Sequence, residues 1–151
     1  MNMDTKMMKM NGFLSAIMDI GELLLTHGAE VNRVEDTISR LCRAYGFIRS
    51  DVFTITSSIV ASARMPDGQT ITQTRRIRER DTDLGKVELV NGLSRRVCAV
   101  PLPLEALQEE RDQVLAATQE DIRGLAPLVQ AALEQNCLCV LGNEEKLRAE
   151  S

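Results

Sequence analysis

Tryptophan is absent, and tyrosine and histidine each occur once in this chain of 151 residues. With only three phenylalanines besides, the core is expected to be aliphatic. The chain also lacks the aromatic platforms on which single-stranded nucleic-acid binders stack bases. A basic excess is missing too. The net charge is -4 at pH 7, whereas a nucleic-acid binder needs a positive field to displace counterions. No nucleic acid is therefore expected as a main partner. Long apolar runs are lacking: the stretch from Phe13 to Leu25 is broken by Asp19 and Glu22. It reads neither as a secretory signal nor as part of the run of about 18 apolar residues that a membrane helix requires.

Cysteine is sparse as well. Cys42, Cys98, Cys137 and Cys139 form no pair of C-x-x-C motifs, and His27 alone could assist them. No metal site or cofactor is expected, and the thiols read as reduced, small hydrophobes of a cytoplasmic protein. The Cys137-Leu138-Cys139 pair would need further ligands from elsewhere to hold a soft metal. What is present suits one ordinary core: 44% hydrophobic and 26% charged residues.

Periodicity predicts an α+β fold, a helical hairpin packed on a small antiparallel β-sheet and followed by further helices. Met10, Phe13, Leu14, Ile17, Gly21, Leu24 and Leu25 recur at helical spacing, giving one apolar stripe from about Lys6 to His27. Gly28 should close that helix, with His27 beside its last carbonyls. Val31, Val34, Ile38, Leu41, Cys42 and Tyr45 mark a second helix from about Ala29 to Tyr45, stopped by Gly46. From Asp51 to Met65 the period shortens. Alternation sets Phe53, Ile55, Ile59, Ala61 and Ala63 on one face, against Thr54, Thr56, Ser58 and Ser62, over one bent strand or two. Pro66-Asp67-Gly68 predicts a hairpin turn into a strand from Gln69 to Ile77. A third helix should start near Asp81 to Asp83 and run to Val97. Beyond Pro101 and Pro103 a charged helix is expected from Leu104 to about Arg123, then a short piece from Leu128 to Leu133 after Gly124 and Pro127.

No catalytic constellation is visible: no Gly-x-Ser-x-Gly elbow accompanies the single histidine, and no glycine-rich phosphate loop occurs. Two polar features remain. At the start of the second helix, Glu30, Arg33, Glu35 and Asp36 read either as a solvated face, with Glu30 and Arg33 able to pair, or as the rim of a groove. On the strands, Thr54, Thr56 and Ser58 with Thr70, Thr72 and Thr74, flanked by Arg64, Arg75 and Arg76, read either as a plain solvent face or as a carboxylate site. Hydroxyls donate to carboxylate oxygens and arginine supplies a matched fork, which suits an amino acid or a dicarboxylate. The basic run Arg75 to Arg80, diluted by Glu79 and followed by Asp81, reads as a charged edge strand, with a juxtamembrane patch as its alternative.

The ordered set Gly21-Glu22-Leu23-Leu24-Leu25-Thr26-His27-Gly28-Ala29-Glu30, Arg33-Val34-Glu35-Asp36-Thr37, Ile55-Thr56-Ser57-Ser58-Ile59-Val60, Asp67-Gly68-Gln69 and Thr72-Gln73-Thr74-Arg75-Arg76 resembles the N-terminal soluble domain of the threonine/serine exporter family. The resemblance covers about residues 12 to 98. It implies a domain on the cytoplasmic side of a membrane, in a system that exports threonine, serine or a small organic acid.

Two segments are accordingly expected, 1–98 as the exporter-like domain and 99–151 as a divergent helical tail. Either the chain works with a separate membrane subunit, or a membrane domain is missing because the frame was truncated or shifted near residue 100. Residues Glu30, Arg33, Glu35, Thr54, Thr56, Ser58, Arg64, Thr72, Thr74 and Arg75 are the expected binding set for a small carboxylate. The rival readings are a structural module that docks a membrane subunit and a small hydrolase-like domain. A second copy of the chain is a further candidate partner.

Overall fold

A computed structural model describes residues 3–117. Its elements are α1 (Met3–Thr26), α2 (Val31–Ala44), β1 (Arg49–Ile55), β2 (Ser58–Arg64), β3 (Thr70–Arg76), α3 (Leu84–Ala99) and α4 (Leu104–Ala116). The class is α+β, with a three-stranded antiparallel sheet in the order β1-β2-β3. The expected tail features from residue 118 onward, including the 128–133 helical piece and the Cys137/Cys139 pair, lie outside the described residues.

α1 is the axis of the domain. The expected single stripe proves too narrow, because Ala16, Met18, Ile20 and Leu23 are buried along with Phe13, Leu14, Ile17, Leu24 and Leu25. The reason is that α1 touches β2, β3, α2, α3 and α4 at once. A helix covered on most sides, as α1 is between Phe13 and Leu25, must be apolar over most of its surface there. Gly21 is what lets α2 approach: a Cβ there would sit 2.5 Å from Ile38 Cδ1. Leu24 is fully buried, and its truncation to alanine should cost about 2–5 kcal/mol.

The helix ends follow local chemistry. Gly28 takes φ 98°, and the amide of Ala29 returns to the Leu24 carbonyl at 2.9 Å. The Asp81 amide reaches the Thr26 carbonyl at 2.8 Å and the Asp83 amide reaches that of His27 at 3.1 Å, so the linker before α3 closes the end of α1. Asp83 caps α3, its Oδ1 accepting from the Lys86 amide at 3.0 Å. Between α3 and α4, the Tyr45 hydroxyl donates to the Leu102 carbonyl at 3.1 Å, while its ring stacks on Phe13 with centroids 4.5 Å apart.

The strand region departs from the expected phase. The structure has two strands joined by Thr56 and Ser57, with Ile55 opposite Ser58, Phe53 opposite Val60 and Thr54 opposite Ile59. Residues directly opposite share a face, so even positions of β1 lie with odd positions of β2. Thr54 therefore enters the core at 4% exposure, while Phe53 and Ile55 lie outside at 65% and 45%. Unbroken alternation across 51–65 would hold for one strand; a two-residue turn reverses it. The Thr54 amide is then covered by α2, donating to Glu35 Oε1 at 2.7 Å.

Candidate functional site

The expected binding residues are placed by the register and by α2, and they do not gather at one point. Ser58, Thr72 and Thr74 share the outer face of the sheet with Arg64 and Thr70. Thr54 faces the other way, and Thr56 sits in the exposed turn. The Ser58 hydroxyl donates to the Arg75 carbonyl at 3.2 Å, and the Ser62 and Thr72 hydroxyls bond each other at 2.7 Å. Arg64 lines a shallow hollow of about 270 Å³ with Arg49, Asp51, Ser62 and Thr70. Glu35 is engaged with the edge of β1, and Glu30 is the exposed residue before α2 without a side-chain cap. The expected Glu30–Arg33 pair is not formed; the ion pair along α2 is instead Arg40 to Asp36 at 2.9 Å.

Arg75 belongs to a clamp on α1. β3 alternates, and Arg75 lies opposite Ile59 on the inner face. Its Nε and Nη2 both donate to Asp19 Oδ1 at 3.0 Å, and Nη2 also donates to the Ser15 hydroxyl at 2.9 Å. Arg111 on α4 donates to the other oxygen of Asp19, and its remaining fork is occupied by Asp112 at 2.7 Å. Burial opposes the charge on Arg111, but the bonds to Asp112 and Asp19 outweigh it and raise its pKa. Glu22 stands 3.7 Å from Arg75. Burial lifts its carboxyl above the ordinary 4.5; Arg75 pulls it back in part, and Asp19 pushes it further up.

Asp19, Glu22 and Arg111 border a cleft of about 370 Å³ between α1 and α4, also lined by Leu23, Thr26, His27 and Leu115. His27 Nδ1 is 2.8 Å from the Leu23 carbonyl, which can only accept, so that nitrogen carries hydrogen. Asp19 and both arginines face one another here. The clamp ties three elements together and leaves little charge for a ligand.

A second cleft, of about 430 Å³, opens between α2 and α3. α2 contributes Asn32, Arg33, Asp36 and Arg40; α3 contributes Glu88, Asn91, Ser94 and Arg95. Its volume falls within the roughly 300–1,000 Å³ of small-molecule sites. Arg40 pairs with Asp36, and Arg95 with Glu88 at 2.9 Å, all four side chains at least half exposed. Such pairs are worth about 0–1 kcal/mol and yield readily to a competing charge. Arg33 has no carboxylate partner among the described residues. The two Asn side chains add amide donors and acceptors.

Of the expected set, only Arg33 lines this cleft, joined by Asp36 from the same sequence feature. The α3 half was missed. A signal for it existed: Glu88, Asn91 and Arg95 repeat on α3 the spacing of Arg33, Asp36 and Arg40 on α2, so each helix carries one polar stripe at positions i, i+3 and i+7.

Among the described residues, Cys42 bears on chemistry only by being inert. Cys42 is fully buried and burial pushes its thiol up to about 12, so it behaves as a small hydrophobe. Among the described residues no helix is long and apolar enough to cross a membrane.

Comparison with known proteins gives one family. The profile of the family described as "Putative threonine/serine exporter" matches residues 15–141, further along the chain than the resemblance over 12–98. A stretch of 44 residues is 41% identical to Protein HypA of Clostridium perfringens (strain 13 / Type A), covering 29% of this chain and 4% of that protein. The chain thus spans a small fraction of that relative's length. No solved structure matches.

Proposed function

From the premise that this chain belongs to the threonine/serine exporter family, we propose that its described domain is the soluble, cytoplasmic-side part of an exporter-type transport system. In this reading it binds a small carboxylate solute, a free amino acid, in the α2–α3 cleft. The observation that carries it is Arg33, a guanidinium without a carboxylate partner among the described residues, on the wall of a mixed-charge cleft. Its fork suits a carboxylate. Asp36 and Glu88, loosely held by exposed arginines, suit the ammonium of the same molecule. Asn32, Asn91 and Ser94 are groups that could meet a side-chain hydroxyl.

Exposure of the charged groups to water argues for weak binding, matched to an abundant metabolite rather than a scarce signal. Calorimetry with L-threonine, L-serine and succinate tests the proposal. Heat is expected with the amino acids and is lost in Arg33→Ala. Glu88→Gln together with Asp36→Asn should weaken the amino acids while sparing succinate, which has no ammonium. Silence of the wild-type protein toward all three ligands would overturn the reading.

A further inference from the structure

The outer face of the sheet combines two features that neither cleft uses. Ile55, Ser58 and Arg76 form one row across the three strands, and Phe53, Val60 and Thr74 form the next. Phe53 and Ile55 are 65% and 45% exposed, side by side on one strand face. Immediately beyond the first row lies a recess of about 490 Å³ lined by Ser57, Arg76, Ile77 and Arg78. No carboxylate is among its described lining residues, and neither arginine has an acidic partner among them.

The strands place three arginines on this face, Arg49, Arg64 and Arg76, against one acid, Asp51, which Arg49 holds at 3.0 Å. Glu79 and Asp81 are exposed in the segment that follows but do not line the recess. The whole chain carries -4, so a basic, acid-poor face is a local inversion of its charge.

We propose that this end of the outer sheet face docks on an anionic lipid bilayer. Arg76 and Arg78 meet lipid phosphates, the Thr56 and Ser57 hydroxyls sit at headgroup level, and Phe53 and Ile55 enter the acyl boundary. The charge complementarity favours an anionic bilayer over a protein groove: unpaired guanidiniums border exposed apolar side chains, the arrangement by which interfacial segments combine apolar burial with attraction to anionic lipid. The inference goes beyond the solute cleft and shares no residue with it, so either can fail alone.

The experiment is co-sedimentation of the full chain with vesicles of neutral phosphatidylcholine and with vesicles containing phosphatidylglycerol. Preferential binding to the anionic vesicles is expected, weakening as salt is added. Each arginine should contribute about fivefold, so Arg76→Gln with Arg78→Gln lowers partitioning about 30-fold. Phe53→Ser with Ile55→Ser should lower it about tenfold or more without changing the salt dependence. All four side chains are exposed, so unfolding temperatures equal to wild type verify that the variants fold. Equal binding to neutral vesicles, no binding to either kind, or full binding by the double arginine variant overturns the proposal. Displacement by inorganic phosphate at low concentration would do so too, marking a site for a soluble anion.

Discussion

The clamp between α1, β3 and α4 and the cleft between α2 and α3 are made of the same side-chain types, arginine facing aspartate or glutamate, yet water treats them differently. In the clamp, Asp19 is 28% exposed and Arg75 and Arg111 are 22% and 19%. In the cleft, the paired side chains run from 50% to 72%. A half-buried charge must be matched inside the protein, because losing its partner leaves an uncompensated ion away from solvent. An exposed pair has bulk water as an alternative partner and is nearly indifferent to being broken. The same chemistry therefore serves cohesion in one place and leaves exchangeable partners in the other.

The sharpest way to break this contrast is Asp19→Ala. It leaves Arg75 and Arg111 facing each other near α1, and a loss of about 2 kcal/mol is expected in urea unfolding, below the 3–5 of a fully buried pair because water still reaches the site. An unchanged midpoint would mean that the clamp is as dispensable as a surface pair.

Glu22 gives a smaller, pH-dependent effect. Its folded pKa is raised above 4.5, so the folded state holds that proton more tightly than the unfolded chain. Stability from this group is greatest below pH 4.5 and falls as pH rises through the raised value. Glu22→Gln should remove that fall, so its unfolding temperature relative to wild type climbs between acidic and neutral pH. A constant difference would place the carboxyl in ordinary water.

Least of all should be Arg40→Ala in the cleft, within about 0.5 kcal/mol of wild type at any salt concentration. A loss as large as that of Asp19→Ala would erase the distinction between the two regions.

What neighbouring residues decide is legible in the sequence. Gly28 and Gly46 end helices, Pro66-Asp67-Gly68 turns the chain and Asp83 starts α3; each is settled within about four residues of backbone. What distant residues decide is not legible there. Arg75 meets Asp19 across 56 positions and Arg111 meets it across 92, and no local pattern distinguishes such an arginine from a solvated one. The face of β1 is an intermediate case, set by whether two residues or none interrupt the alternation. Thr54 and Phe53 thereby exchange faces, and Thr54 leaves the hydroxyl face that Ser58, Thr70, Thr72 and Thr74 still share. For the α2–α3 cleft, α2 is legible in the sequence and α3 is not, because a polar stripe gains meaning only once a second is packed beside it.

The two-residue turn at Thr56–Ser57 sets β1 against its own apolar pattern. A slip of β1 by one residue would move Phe53 and Ile55 inward and Thr54 outward, an arrangement that hydrophobicity alone would prefer. The native pairing is held against it by the turn and by the bond from the Thr54 amide to Glu35. Apolar patterning and hydrogen bonding thus pull β1 toward opposite registers, and the strand is locally frustrated. Glu35 favours the native register by accepting from the Thr54 amide. Glu35→Ala is expected to loosen that preference, with faster amide exchange at Thr54 as the measurement.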